Sequence, residues 1–305
     1  MTEKSFHFKL LFVILYIPIH FVLSSREIMR TIAHISDLHF GRTKTSLEKA
    51  LKVIIEERSP DLIIVSGDIT QRATALQFHA ARKFLSSLSC PIFMVPGNHD
   101  VPLYSVWRRF FRPYTLYKRY ISEDLEPQYE DEEMIVVGVN TVRIFKIMEG
   151  RVNIKQMARV KAVFAAALPN KIKILVSHHP FNMPLGHRKS PLARARLFWK
   201  SQINTEIDLI LSGHLHDTLG LYSDRAYKIA TPGPLLIQAG TAISTRYRKE
   251  ANSFNIITLS SNRIAIDRYE YVQGKQIFMR KKNERFVRQC KTWMRDFDKA
   301  SVMNL

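Results

Sequence analysis

Residues 30–68 read RTIAHISDLHFGRTKTSLEKALKVIIEERSPDLIIVSGD, and this stretch decides the fold. Two short apolar runs, 30–36 and 62–66, flank a segment with a different period. There Leu47, Ala50, Leu51, Ile54 and Ile55 recur at i, i+3, i+4, i+7 and i+8, which sets them on one helix face, closed by Ser59-Pro60. The pattern predicts strand, helix, strand, the rhythm of an α/β fold.

The same rhythm continues outward. Further strands are predicted at 91–95, 134–139, 172–177 and 207–212, and further helices at 73–88, 154–168 and 191–203. After about residue 220 the pattern becomes β-rich, with strands at 234–239, 253–259 and 263–272. The expected organisation is an apolar leader at 1–28, one catalytic domain at 29–272, and a basic tail or helix at 273–305. The leader contains a run of fourteen apolar-rich residues, 10–23, interrupted by Pro18 and His20. As a helix the run would be about 21 Å long, short of the roughly 30 Å hydrocarbon core. It reads as a secretory signal, as an anchor, or as sequence ahead of a true start at Met29.

Composition narrows the chemistry. The apolar content of 46% supplies a core, which excludes an intrinsically disordered chain. Cys90 and Cys290 stand far apart, so neither a disulfide scaffold nor a cysteine zinc site is available. The chain carries 46 Lys+Arg against 27 Asp+Glu, a net charge of +19, and this predicts anionic company.

The polar residues with chemical reach follow the strands. The first strand ends in Asp37-Leu38-His39, the second in Gly67-Asp68 and the third in Gly97-Asn98-His99-Asp100; later ones end in His178-His179-Pro180 and Gly213-His214-Leu215-His216. Carboxyl ends of strands in an open α/β sheet gather in one crevice, so these five blocks form a single site. Carboxylates, imidazoles and one amide without a thiolate suit divalent Mn, Fe, Co or Zn. These donors are too many for one ion. Two ions sharing a carboxylate form the usual device for displacement at phosphorus. A lone Asp or His is ordinarily a core, cap or surface residue. Five ordered blocks are not.

In this order and spacing, D-x-H, G-D, G-N-H-D, H-H-P and G-H-L-H resemble the calcineurin-like metallophosphoesterase superfamily, over residues 31–216. The resemblance implies a four-layer α/β/β/α sandwich of two mixed sheets. It implies Asp37, His39 and His216 on one divalent metal ion, Asn98, His178 and His214 on a second, and Asp68 bridging them. His178 is preferred to His179 because the first histidine of the block is the ligand in that family. His99 is implied to be a catalytic histidine that is not a ligand, oriented and kept protonated by Asp100. The implied reaction is attack of a metal-bound hydroxide on a phosphodiester or pyrophosphate, by a metal-dependent phosphoric ester hydrolase using Mn²⁺, Fe²⁺ or Zn²⁺. A non-catalytic scaffold on the same fold is the rival that an intact ligand set argues against.

The positive charge is uneven: besides the basic segment at 275–305, it gathers in two runs that leave strand ends of the site. One is Trp107-Arg108-Arg109-Phe110-Phe111-Arg112, continuing to Lys118-Arg119-Tyr120; the other runs from His187-Arg188-Lys189 to Lys200. Arg108, Arg109, Arg112, His179 and Arg188 are the expected substrate-binding residues. Aromatic rings among cations suit an amphiphilic anionic phosphate ester or a membrane surface, and less well single-stranded nucleic acid. Among branches of the superfamily, the motif context is most similar to class III cyclic-nucleotide phosphodiesterases. The basic-aromatic runs and the leader favour the alternative, a UDP-2,3-diacylglucosamine pyrophosphohydrolase of lipid A synthesis. The expected location is the cytoplasm, peripheral to or anchored at the inner membrane. Elsewhere, His34 inside the first strand is expected to be a packed core residue.

Overall fold

The computed structural model describes residues 28–181, 192–202, 205–215, 233–246, 251–290 and 292–296, and the backbone of 220–222. The chain opens with β1 (Arg30–Ile35), α1 (Thr45–Arg58), β2 (Leu62–Val65), α2 (Ala75–Leu85) and β3 (Ile92–Met94). It continues through α3 (Val106–Phe111), α4 (Thr115–Tyr120), β4 (Gln128–Glu130), β5 (Met134–Val139), β6 (Gly150–Arg151) and α5 (Ile154–Ala166). Next come β7 (Ile172–Ser177), β8 (Leu192–Ala193), α6 (Ala195–Ser201), β9 (Leu209–Ser212), β10 (Gly220–Tyr222) and β11 (Leu235–Gln238). Four strands close it: β12 (Ser253–Leu259), β13 (Arg263–Val272), β14 (Ile277–Gln289) and β15 (Thr292–Arg295).

Two mixed sheets form the centre. One has the order β15-β14-β13-β12-β1-β2-β3 and the other β10-β11-β9-β7-β5-β4. Three cores separate four layers. Ile32, Leu62 and Ile64 of the first sheet pack against Val136, Ile174 and Leu211 of the second. The outer face of the first sheet receives Leu47, Leu51 and Ile55 of α1 and Phe78 of α2. The outer face of the second receives Val160 and Phe164 of α5 and Phe198 of α6. This is the expected α/β/β/α sandwich, and the five residues of the α1 stripe are all buried.

Burial on both faces explains why the central strands read as unbroken apolar runs. β1, β2 and β3 are parallel neighbours, with Ile32 opposite Leu62 and Val65 opposite Met94. β5, β7 and β9 are parallel neighbours in the other sheet. Their carboxyl ends therefore reach one edge of the sandwich. The bridge from Ser36 to Thr241 ties the end of β1 to the loop after β11 at that edge.

The basic segment expected as a tail or helix is corrected over its described part: β14 and β15 extend the first sheet. Charges outnumber apolar residues there, and only Phe278, Phe286 and Trp293 are buried, so the strand period is hidden. Asp208, just before β9 of the second sheet, fastens this hairpin. Its carboxylate accepts from Arg288 Nη2 at 2.6 Å, Trp293 Nε1 at 2.9 Å and the Lys173 N–H at 2.8 Å. Burial pushes the Asp208 carboxyl up, and the Arg288 guanidinium works against that shift. Asp208→Ala strands those donors and is expected to cost about 3 kcal/mol. Urea unfolding monitored by Trp fluorescence measures it; a loss below about 1 kcal/mol would show that the hairpin is held by β-pairing alone.

Among the described residues no helix is long and apolar enough to cross a membrane. The apolar run at 10–23 lies outside them.

Candidate active site

The loops that leave β1, β2, β3, β7 and β9 meet at one buried cluster. Asp37 and Asp68 are 0% and 1% exposed, so each carboxylate must find its partners inside the protein. Asp37 Oδ2 accepts from Ser36 Oγ at 2.7 Å and from the His214 N–H at 3.1 Å. Its Oδ1 lies 3.6 Å from His39 Nε2. Asp68 faces two ways: Oδ2 is 3.8 Å from His39 Nε2, whereas Oδ1 is 3.4 Å from His178 Nε2. On that second side Asn98 Oδ1 stands 3.0 Å from both His178 Nε2 and His214 Nδ1.

The backbone makes room for this crowding. Asp37, His39, Asp68 and His214 all hold positive φ, between 49° and 72°, although none is a glycine. Such strain persists only where the surroundings enforce it, and it concentrates at working sites. Two glycines permit the close approach. A Cβ on Gly97 would strike the Asp68 N–H and Oδ1, and one on Gly213 would strike Ser36 Oγ and Asp37 Oδ2.

The electrostatics follow from burial among ions of both signs. Burial alone would raise the Asp68 carboxyl, but the imidazoles of His178, His99 and His39 outweigh it and hold it well below the usual carboxylate range. Burial alone would lower the His178 imidazole, but Asp68, Asp37 and the Ser66 carbonyl raise it to about 9. His178 Nδ1–H donates to the Ser66 carbonyl at 2.8 Å, which turns Nε2 toward Asp68 and Asn98. His34 is a packed core residue, lowered to about 3 by burial and hydrogen-bonded to Ser66 Oγ at 3.0 Å.

These residues suit divalent metal ions. His39 with Asp68 and His99, Asp37 with Asp68 and His178, and His178 with His179 and His214 each bring ligand atoms within 4.8 Å of one another. Buried oxygen and nitrogen donors without thiolate match borderline divalent cations, and the two oxygens of Asp68, one toward His39 and one toward His178, could be shared between two donor groups. His216 and Arg188 lie outside the described residues.

Three expected roles change. Asp100 does not orient the His99 ring. Its carboxylate accepts from the N–H groups of Ile69, Thr70 and Gly97 and from Thr70 Oγ1, and so braces the loops after β2 and β3. Burial and the neighbouring Asp68 charge raise it to about 7 against those N–H donors. Arg109 is buried rather than available to substrate: it donates to the carbonyls of Pro102, Arg143, Ile144 and Lys146. The fully buried His179 meets Thr141 Oγ1 at 2.8 Å and packs against His214, with ring centroids 4.5 Å apart. Arg108 and Arg112 remain exposed.

His99 has partners that the motifs do not announce. Its Nδ1–H donates to the Gln71 carbonyl at 2.9 Å, and its Nε2 accepts from Arg246 Nη1 at 2.9 Å. Arg246 comes from the loop after β11, and the signal available in the sequence is only that this loop, too, follows a strand of the second sheet.

Known proteins bear on the same blocks. The calcineurin-like phosphoesterase family model matches residues 30–218. Over 81 residues the chain is 32% identical to a Synechococcus protein named "Probable cyclic nucleotide phosphodiesterase", covering 24% of this chain and 32% of that one. It is 34% identical over 76 residues to the UDP-2,3-diacylglucosamine pyrophosphatase LpxG of Chlamydia muridarum, covering 24% of this chain and 23% of that one. The chain thus aligns with about a third of these relatives or less. In fold it is similar to a dimetal phosphatase from Danio rerio, with a TM-score of 0.62 at 14% identity, covering 80% of this chain and 96% of that one. With the described residues of its five motif blocks gathered in one cluster and the family model matching residues 30–218, the chain belongs to the calcineurin-like phosphoesterase family.

Proposed function

We propose that the protein is a metal-dependent phosphoric ester hydrolase acting on a phosphodiester or pyrophosphate. The observation that carries this reading is Asp68, whose two oxygens face two separate groups of ligands. Two divalent cations held there, Mn²⁺, Fe²⁺ or Zn²⁺, would supply Lewis acidity and an activated water for attack on phosphorus. Asp37, His39 and His216 would hold one, Asn98, His178 and His214 the other. His99 stands beside this cluster without joining the Asn98 side, with Nε2 4.0 Å from Asp68 Oδ2. From there it can move a proton at Nε2 to or from the oxygen that leaves phosphorus. Arg246, within reach of that same nitrogen, is suited to bind a phosphoryl oxygen.

Metal-depleted protein and protein reloaded with Mn²⁺, both assayed on bis-p-nitrophenyl phosphate, test the reaction class. Turnover that appears only on reloading supports it; none in either state would leave a scaffold. Two substrate classes follow from the named relatives: cyclic nucleotides and UDP-2,3-diacylglucosamine. A side-by-side assay of both, with single-stranded DNA as a third arm, separates them.

Arg246→Ala is expected to lose about ten- to a hundredfold in kcat/KM, the worth of a hydrogen bond to a charged oxygen, chiefly through KM. Arg246→Lys should recover part of it. Equal kinetics in wild type and Arg246→Ala would confine this arginine to packing.

A further inference from the structure

We infer that α3 and the loop after β5 form a docking surface for an anionic lipid bilayer, next to the catalytic cleft. The inference rests on the phosphoesterase reading and names where its substrate is met. Tyr104, Trp107, Phe110 and Phe111 on and before α3, with Phe145 and Ile147 in the loop, are each 40–80% exposed. Soluble proteins rarely leave so many large apolar groups together in water, and such patches mark binding surfaces. Trp107, Phe110 and Phe111 share one short helix, and the rings pack in two pairs. Trp107 and Phe111 lie 5.5 Å apart, and Phe110 reaches across to Phe145 at 5.1 Å.

The patch is rigidly built. The buried Arg109 joins α3 to the loop through the carbonyls of Ile144 and Lys146 and fixes Pro102 on the way to the site. A guanidinium withdrawn from solvent to hold two apolar segments in place is a positioning device. Arg72 lies over the Tyr104 ring at 4.9 Å, and the adjacent Gln71 carbonyl accepts from His99. The surface therefore continues to the catalytic rim.

Charge selects the occupant. Residues 104–120 and 143–149 together carry seven Lys/Arg and a single acid, Glu149. Arg112 lies over Trp107 at 5.7 Å, with its cation beside the aromatic anchor. Cations around an apolar centre complement anionic headgroups over acyl chains. A single strand of nucleic acid would need rings free to stack with bases. Here the rings pack on one another, and the aliphatic Val106, Ile147 and Met148 add nothing to stacking.

Trp107 reports on this surface, because it is 59% exposed whereas Trp199 and Trp293 are 7% and 3% exposed. The full chain is mixed with phosphatidylglycerol–phosphatidylethanolamine vesicles, with or without brominated acyl chains, and with phosphatidylcholine vesicles as the neutral control. Expected are a blue shift and bromine quenching of Trp emission on the anionic vesicles only, weakening as salt rises. Trp107→Ser/Phe111→Ser/Phe145→Ser should sediment with them about tenfold less, while hydrolysing bis-p-nitrophenyl phosphate at the wild-type rate. If the triple variant fails to fold by circular dichroism, Phe111→Ser with Trp107 intact carries the quenching test. Sedimentation without Trp quenching would overturn the inference and assign vesicle binding to the apolar leader. So would self-association or single-stranded DNA binding that the triple variant abolishes. Normal quenching in a chain without phosphoesterase activity would overturn the reaction and leave the docking surface standing.

Discussion

Asp68→Asn is expected to remove both metal ions and all measurable turnover together. The substitution preserves size, and its remaining oxygen can still accept the His99 N–H that Asp68 Oδ1 accepts at 2.8 Å. The loops should therefore stay folded. The other oxygen becomes an amide nitrogen, which cannot ligate a cation and faces His39. One donor group loses its bridge outright, and the negative charge that draws cations to both is gone. The drop in metal affinity should exceed the roughly ten- to hundredfold that outer partners of metal ligands contribute. Elemental analysis and bis-p-nitrophenyl phosphate hydrolysis check it. Two metals per chain with near-normal turnover would remove Asp68 from the bridging role.

The same carboxylate sets a pH dependence. His178 is raised to about 9, so in metal-free protein it carries a proton at neutral pH that must leave before Nε2 can act as a ligand. Loading should therefore release a proton, and metal affinity should rise with pH up to about 9. Without metal the sign for stability is the reverse. A folded-state pKa above the unfolded value contributes stability at low pH that fades as pH climbs from about 6.5 toward the raised value.

His99→Ala is expected to keep both metals and lose about 10²–10⁴ in kcat, the usual worth of a positioned acid or base. The ring is not needed to fold the loop, since its backbone N–H already binds Asp68 and Asp100 braces the segment. It is partly exposed at the edge of a cluster in which Asp37, His39, Asp68 and His178 are buried, which is where a leaving group would need a proton. Steady-state kinetics with metal content measured on the same samples decide the matter. Loss of one metal ion instead would turn His99 into a ligand.

The sequence was most informative where periodicity and covalent neighbourhood coincide. α1, β5, β7, β12 and β13 lie where their patterns place them, because strands buried on both faces need continuous apolar runs and a packed helix needs its stripe. The blocks that meet in the cluster were legible for a related reason: each follows a strand, so the chain carries its own map of the crevice. β14 and β15 were not legible, since the long β14 leaves over half of its residues exposed and β15 spans only four residues, so the segment reads as charge. Arg109 misled because its neighbours are exposed cations, and nothing in the sequence shows that carbonyls 34 to 37 residues further along the chain will surround its guanidinium. Asp100 misled because adjacency to His99 along the chain suggested contact, whereas the tight turn at 98–100 directs the carboxylate toward Ile69 and Thr70. Arg246 meets His99 across 147 residues, a contact that only the closed sandwich creates.

One sheet delivers Asp37, His39, Asp68 and Asn98 to the cluster, and the other delivers His178 and His214. The interior between the sheets is apolar, and apolar contact tolerates sliding better than directed bonds do. On the proposed reading, catalytic competence would work as a vernier across a seam. A slip of an ångström or two between the sheets would part Asn98 from His178 while every strand kept its partners. Enzymatic rate would then register damage to the assembly before any spectroscopic measure of secondary structure could.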